Sequence, residues 1–412
     1  MTKQDIVDAA FRAWGRKLYL TVSLSDVAGE LGVTKPALYR HFRNKQALMD
    51  EMYPRFFDTH AEAIRADFER ARSALDGGGG GMAQAMLTMS RAMAAYYAEH
   101  IDHLVFAMMQ VYGGSAKSGF GEQMCARGVD LGCFFTADRA AGVYPPLYQL
   151  VMSSVFVTLV YFLGASHTNG TCKARLTPLS EEALQSLLAR VEGVVSRGLG
   201  FARERVQGID YARLEAAAAA RGLAAEGGPL MKAVAEAVGE AGIWEASMRR
   251  VAALSGLSKS SLYGHFKSKR DMLRRLFMSE FDQILKAAGE AIRASAVTEE
   301  QVYLGVFAIT DYFRARPEIL IAMDRIRSRR IDLGNSKPPR FDSIFQGVDL
   351  STCGQKTDLC SDEVDRVSHW VLFLIINTLM RNPAGKNFAA LPNESIRTLY
   401  RFIAMGVGVG GE

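Results

Sequence analysis

Residues 25–49 read SDVAGELGVTKPALYRHFRNKQALM, and residues 249–273 read RRVAALSGLSKSSLYGHFKSKRDML, aligned without a gap at an offset of 224. Nine of the nineteen positions from Val27 to Lys45 are identical to their counterparts from Val251 to Lys269, among them Gly32/Gly256, Lys35/Lys259, Tyr39/Tyr263, His41/His265 and Phe42/Phe266. Chance does not produce such a match, and the offset exceeds any solenoid period, so each copy is expected to be a whole domain. The chain reads as two domains of one plan in tandem.

In the first copy Ser23 is placed to cap a helix, Asp26 favours its N-terminus, and Leu24, Val27, Ala28 and Leu31 form an i, i+3, i+4, i+7 stripe. Gly32 supplies the left-handed residue that ends it. Thr34 is placed to cap a second helix, with Pro36 in a first turn where no backbone donor is needed. Leu38 and Phe42, one turn apart, anchor that helix, so Pro36 and Arg40 point away from the core at about 100° per residue. Two short helices joined at a three-residue turn, the second with small, basic and aromatic residues outward, have the dimensions to enter a major groove. A packed hairpin with a solvated face is the alternative. The same exposed Lys, Tyr, His and Lys in both copies favours the groove.

Charge follows the repeat. The net charge is +5, with +2 in residues 1–53 and +4 in residues 229–281, so everything else sums to −1. A positive excess confined to the two heads suits a polyanionic partner. The remaining composition of the 412 residues, 49% hydrophobic and 23% charged, excludes a disordered chain or a fibrous rod. Five cysteines without a CxxC pair argue against a disulfide framework or a structural zinc site. The charged, amphipathic N-terminus lacks the apolar core of a signal peptide, so a cytoplasmic protein is expected. The apolar runs Leu150–Ala165 and Val367–Met380 fall short of the ~20 residues a spanning helix needs, and read as buried helices of a bundle.

The LGVTKPALYRHFRNK stretch resembles the tetracycline-repressor (TetR) family of bacterial transcription factors. The likeness takes in Ile6–Trp14, the turn motif and Lys45–Met52, and recurs over Leu230–Leu276. It implies an all-α fold of two tandem units, each with three DNA-binding helices and a larger helical domain that binds a small ligand and dimerises. It further implies that Thr34, Tyr39, His41 and Lys45 hold phosphates while Lys35, Pro36, Ala37 and Arg40 face bases. Their counterparts are Ser258, Tyr263, His265 and Lys269, then Lys259, Ser260, Ser261 and Gly264; Arg249 is a further DNA-contact candidate. The glycine usual after the first helix is Gly242 in the second copy but Leu18 in the first. Family members are normally half this length and work as homodimers, so this chain looks like two protomers fused.

The expected division is a first head (1–52), a helical regulatory domain (53–203), a linker (204–228), a second head (229–276) and a second regulatory domain (277–412). Leu147–Leu163 and Val364–Met380 are expected to form an intramolecular bundle in place of a dimer interface, or else the core of each separate domain. The alanine-rich linker reads as a connecting helix or a solvated spacer, and Gly77–Gly81 as a flexible loop. Met89, Met93, Tyr96, Met108, Met109, Tyr112 and Met124 form a soft, aromatic set suited to a small apolar or aromatic effector, with ordinary helical core as the alternative. His100 and His103 lack a third metal ligand, and Arg325, Arg327, Arg329 and Arg330 read as a solvated face or an extra DNA contact. No cofactor is expected, and no nucleophile or paired carboxylate nominates an enzyme. The leading reading is a ligand-responsive regulator, a repressor, working as a single-chain pseudo-dimer on an asymmetric operator, with further dimerisation left open. The other reading keeps the fold but makes the second copy a structural partner.

Overall fold

The structure, a computed structural model, describes residues 1–17, 22–76, 81–107, 119–167, 179–220, 228–241, 246–329, 344–350, 363–382 and 387–408. Among these residues every regular element is helical. The first unit comprises α1 (Lys3–Lys17), α2 (Leu24–Leu31), α3 (Lys35–Tyr39), α4 (Lys45–Asp76), α5 (Gly81–Glu99) and α6 (Ile101–Phe106). It continues with α7 (Phe120–Cys125), α8 (Thr136–Ala140), α9 (Leu147–His167) and α10 (Glu181–Arg197). Helix α2 begins as its sequence predicts: Asp26 N–H donates to Ser23 Oγ at 3.3 Å and Ser23 N–H to Asp26 Oδ2 at 2.7 Å, a reciprocal cap. It ends at Gly32, whose φ of +66° only glycine adopts freely.

Helix α4 buries Leu48, Met52, Phe56, His60, Ile64 and Phe68, one stripe that runs unbroken from the head into the body. The sequence division at residue 52 therefore falls inside one continuous helix. Head and body are mechanically joined by that helix. Glycine-rich residues 77–80, Leu18, Gly242 and Trp244 lie outside the described residues.

A connecting segment follows, α11 (Arg203–Gln207) and α12 (Tyr211–Ala219), and then the second unit. This unit comprises α13 (Pro229–Ala241), α14 (Met248–Ser255), α15 (Lys259–His265), α16 (Lys269–Ile292), α17 (Thr298–Ala315), α18 (Pro317–Arg329), α19 (Glu363–Met380) and α20 (Asn393–Met405). The division at residue 276 falls inside α16, as its counterpart falls inside α4. The connecting helix packs against the second unit rather than spacing two units in solvent. Leu214 is buried, and Glu215 accepts from Tyr303 OH at 2.6 Å, Asn393 Nδ2 at 2.8 Å and Arg397 Nε at 2.9 Å. Burial pushes the Glu215 carboxyl up, and these hydrogen bonds more than offset it, leaving it below its ordinary value.

The two units meet through α9 against α19 and α10 against α20. Both α9 and α19 are apolar around most of their circumference, as helices buried between neighbours must be. A polar layer fixes their register: Trp370 Nε1 donates to Ser154 Oγ at 2.8 Å and Asn377 Nδ2 to Ser153 Oγ at 3.3 Å. Beyond the helix ends, Leu199 N–H donates to the Ile403 carbonyl and Val407 N–H to the Val195 carbonyl, both at 2.8 Å. These two bonds exchange under one pseudo-two-fold, as they would across a homodimer. Gly198 (φ +56°) and Gly406 (φ +62°) permit the approach, since a Cβ on Gly198 would meet the Ile403 carbonyl and one on Gly406 the Val195 carbonyl. No described helix is long and apolar enough to cross a membrane.

Candidate nucleic-acid interface

In the first head, Leu38 and Phe42 are 0% and 2% exposed, which holds α3 against the core by its apolar edge. Burying two such side chains stabilises the head by about 1.5–3 kcal/mol each. The opposite edge faces outward. Thr34, Lys35, Pro36, Tyr39, Arg40 and Lys45 are exposed, and Ala37 and His41 are half-buried. Tyr39 is 47% exposed with the Lys35 ammonium 5.9 Å from its ring centroid, an aromatic and cationic pair facing solvent. Lys45 Nζ lies 5.2 Å from the Trp14 ring centroid, and partial burial draws its ammonium below the usual lysine value. Among the described residues Arg40 has no ion-pair or hydrogen-bond partner.

The second head repeats this arrangement. Leu262 and Phe266 are 0% and 1% exposed, while Arg249, Ser258, Lys259, Ser260, Ser261, Tyr263 and His265 are exposed. Lys269 is half-buried, and burial lowers it as it lowers Lys45. Two details differ between the heads. Ser258 Oγ accepts from Ser261 N–H at 3.0 Å, whereas Thr34, the N-cap of α3, makes no side-chain capping bond, contrary to its sequence reading. Helix α15 runs seven residues against five for α3. At the outward centre, Gly264 stands in open space where the first head has Arg40.

The residues expected to surround an effector have a different setting. Met89, Met93, Tyr96 and Met124 are all buried, whereas Met108, Met109 and Tyr112 lie outside the described residues. Met93 Sδ sits 3.1 Å from His60 Nε2, and Tyr96 OH lies 2.6 Å from His103 Nδ1, so these side chains pack on a buried histidine pair. Burial holds His60 and His103 down to about 3, and the neighbouring His100 adds to the effect, so both imidazoles are neutral near pH 7. His100 forms the N-cap of α6 and stacks on His103 with centroids 5.2 Å apart. Among the described residues no group of three His, Cys, Asp or Glu side chains is placed to hold a metal. The side chains of Arg325, Arg327 and Arg329, and all of Arg330, lie outside the described residues.

The family model of bacterial regulatory proteins, tetR family, matches residues 6–52 and 230–276, the two heads. Over 65 residues the chain is 35% identical to the HTH-type transcriptional regulator TtgR of Pseudomonas putida, and equally to the probable HTH-type transcriptional regulator ArpR of the same species. Each alignment takes in 16% of this chain and 31% of the relative, so the chain spans about a third of the length of the curated relatives it matches. Among solved structures, the regulator FadR from Bacillus subtilis in complex with stearoyl-CoA aligns with a TM-score of 0.33 at 16% identity, over 44% of this chain and 98% of that one. Both heads match the same family model, and both carry the turn and the anchored second helix described above. Both heads are tetR-family domains, carried in tandem in one chain.

Proposed function

We propose that the protein is a ligand-responsive transcriptional regulator, a repressor, that binds double-stranded DNA as a single-chain pseudo-dimer. One observation carries the reading: two heads, held by equivalent buried anchors, present the same Lys, Tyr, His and Lys at their outer edges in one chain. Thr34, Tyr39, His41 and Lys45, with Ser258, Tyr263, His265 and Lys269, are assigned to phosphates. Lys35, Pro36, Ala37 and Arg40, with Lys259, Ser260 and Ser261, are assigned to base edges, and Arg249 to a flanking contact. The proposed division places the heads at 1–52 and 229–276, the regulatory domains at 53–203 and 277–412, and the connection at 204–228. The reciprocal bonds between the ends of α10 and α20 support the reading that covalent fusion replaces dimerisation, giving one 45.1 kDa particle.

The heads do not offer the same side chains, so the operator is asymmetric. Arg40 can pair with a guanine edge, worth about 1–3 kcal/mol of discrimination, where Gly264 offers none. Selection from a random DNA library by the purified protein is expected to return a guanine preference in one half-site only; two equivalent inverted halves would sink the asymmetry. Gly264 also favours a second reading, in which the second copy is a structural partner. Lys259→Ala with Tyr263→Ala decides between them, because an unchanged DNA affinity supports the partner role. The effector is a small apolar or aromatic molecule, taken up by the first unit. Binding it changes the head's position relative to its body and releases DNA.

A further inference from the structure

Helix α5 ends at Glu99 and α17 at Ala315, while α6 starts at Ile101 and α18 at Pro317, so residues 216 apart correspond at this joint. It is where each head, through α1 or α13, leans on its body. In the second unit the joint is stapled. Glu280, 1% exposed, accepts from Tyr312 OH at 2.7 Å and from Arg316 Nη1 at 2.9 Å. In the first unit Phe56 and His100 occupy the corresponding places, at offsets of 224 and 216, and two such side chains cannot form an ion pair of this kind. A half-open cavity of about 390 Å3 lies there instead, walled by Asp8 and Arg12 of α1, Arg55 of α4, and Glu99, His100, Asp102 and His103 at the turn into α6.

That volume is within the range of small-molecule sites, about 300–1,000 Å3. Its chemistry is specific. Arg12 Nε lies 3.4 Å from Glu30, which Arg16 holds more closely at 2.9 Å, so the cavity sets the carboxylates of Asp8, Glu99 and Asp102 against the guanidiniums of Arg12 and Arg55, with carboxylates in excess. Among the described residues Asp8 accepts from Gln4 and Asp102 from the His103 backbone, while Glu99 has no hydrogen bond or ion pair. Burial pushes the Asp102 carboxyl above its ordinary value, against the opposing pull of the His103 backbone N–H, His100 and Arg12. His103 is 7% exposed and its Nδ1 is taken by Tyr96, which leaves Nε2 without a partner among the described residues. The His100 ring, stacked on His103 with Phe11 4.2 Å behind between centroids and tilted 49° to it, supplies an aromatic wall. A positive group paired with the carboxylates and a ring laid on that wall would satisfy both features.

We propose that this cavity binds a small aromatic cation, wedged between the first head and its body, and that the stapled joint of the second unit takes none. The inference deepens the reading of the first unit as the ligand-responsive half and rests on it. The test is calorimetric titration of the full chain with benzamidine, benzamide and benzoate, three molecules of one shape and different charge. One benzamidine per chain is expected, bound at least ten-fold more tightly than benzamide, with benzoate weakest. Glu99→Gln with Asp102→Asn should weaken benzamidine at least ten-fold; the single Glu99→Gln variant, at an exposed position, should weaken it in the same direction and guards against misfolding of the double variant. Equal affinity for the three molecules, two sites per chain, no saturable binding at millimolar concentrations, or indifference to both variants overturns the proposal. A parallel DNA-release assay separates the two readings: benzamidine that binds with this charge preference but leaves the DNA complex intact upholds the site and refutes the ligand-responsive regulator.

Discussion

At the end of α17 an arginine, Arg316, turns inward onto the buried carboxylate of Glu280; at the end of α5 the corresponding His100 stacks on His103 beside a cavity. The helices are the same and meet in the same order, yet the chemistry between them is opposite. A homodimer cannot make this distinction, since any change in one joint appears in both. Fusion separates them, so one joint can be fixed while the other keeps room for a ligand. At the interface between units the reverse holds. Gly198 and Gly406 face each other in reciprocal contacts, because each close approach needs both partners unchanged.

The joint comparison breaks most directly at Arg316. Arg316→Leu leaves Glu280 buried with Tyr312 as its remaining donor among the described residues, and removing one member of a buried pair costs about 3–5 kcal/mol. His100→Leu, at the corresponding place in the first unit, breaks no ion pair and should stay within about 0.5 kcal/mol. Urea midpoints of the full chain measure both. Similar costs would show that the second joint is not stapled.

Acidification sharpens the comparison. His60 and His103, held down to about 3 by burial, bind a proton only when the first unit opens. Between pH 6.5 and 3 the unfolded state holds more protons, so their contribution is complete above about pH 6.5. It is lost as the pH falls, by about 1.4 kcal/mol per pH unit for each histidine. Asp102, whose carboxyl burial raises, works in the opposite direction. Ile284 and Ile319 take the places of the two histidines in the second unit. Hydrogen exchange between pH 7 and 5 should therefore show α5 losing protection while α17 keeps it, and His60→Leu with His103→Leu should abolish the difference.

The heads were readable in the sequence because everything that shapes them is local. A cap, a left-handed glycine and two apolar anchors lie within twenty residues, and they recur at a constant offset. The joint was not readable for two reasons. Its walls come from α1, α4 and the turn into α6, segments some forty residues apart, with no motif to connect them. The repeat also loses its register on the way: α4 has 32 residues and α16 has 24, so the offset falls from 224 to 216 and an ungapped comparison no longer sets His100 against Arg316. Methionine and tyrosine content suggested an effector site in the first unit, with ordinary helical core as the alternative, and Met89, Met93 and Tyr96 are buried. Met93 and Tyr96 pack on the histidines behind the cavity rather than lining it, which composition cannot distinguish.

The smallest effect separates the two heads at their caps. Ser258 Oγ holds the Ser261 N–H, and losing such a cap costs about 0.5–2 kcal/mol, so Ser258→Ala should destabilise the second head by roughly 1 kcal/mol. Thr34 makes no corresponding bond, and Thr34→Ala should change stability by no more than a few tenths of a kcal/mol. Both residues are exposed at the start of a recognition helix and are assigned to phosphates. DNA affinity and thermal stability measured on the same two variants therefore distinguish the roles. Thr34→Ala should weaken binding at constant stability, which identifies a contact with DNA. Ser258→Ala should lower both, because one oxygen then organises the helix and meets the phosphate. If Thr34→Ala leaves affinity unchanged, the first head holds its phosphate without this hydroxyl, and the assignment moves to the neighbouring Lys35 and Tyr39.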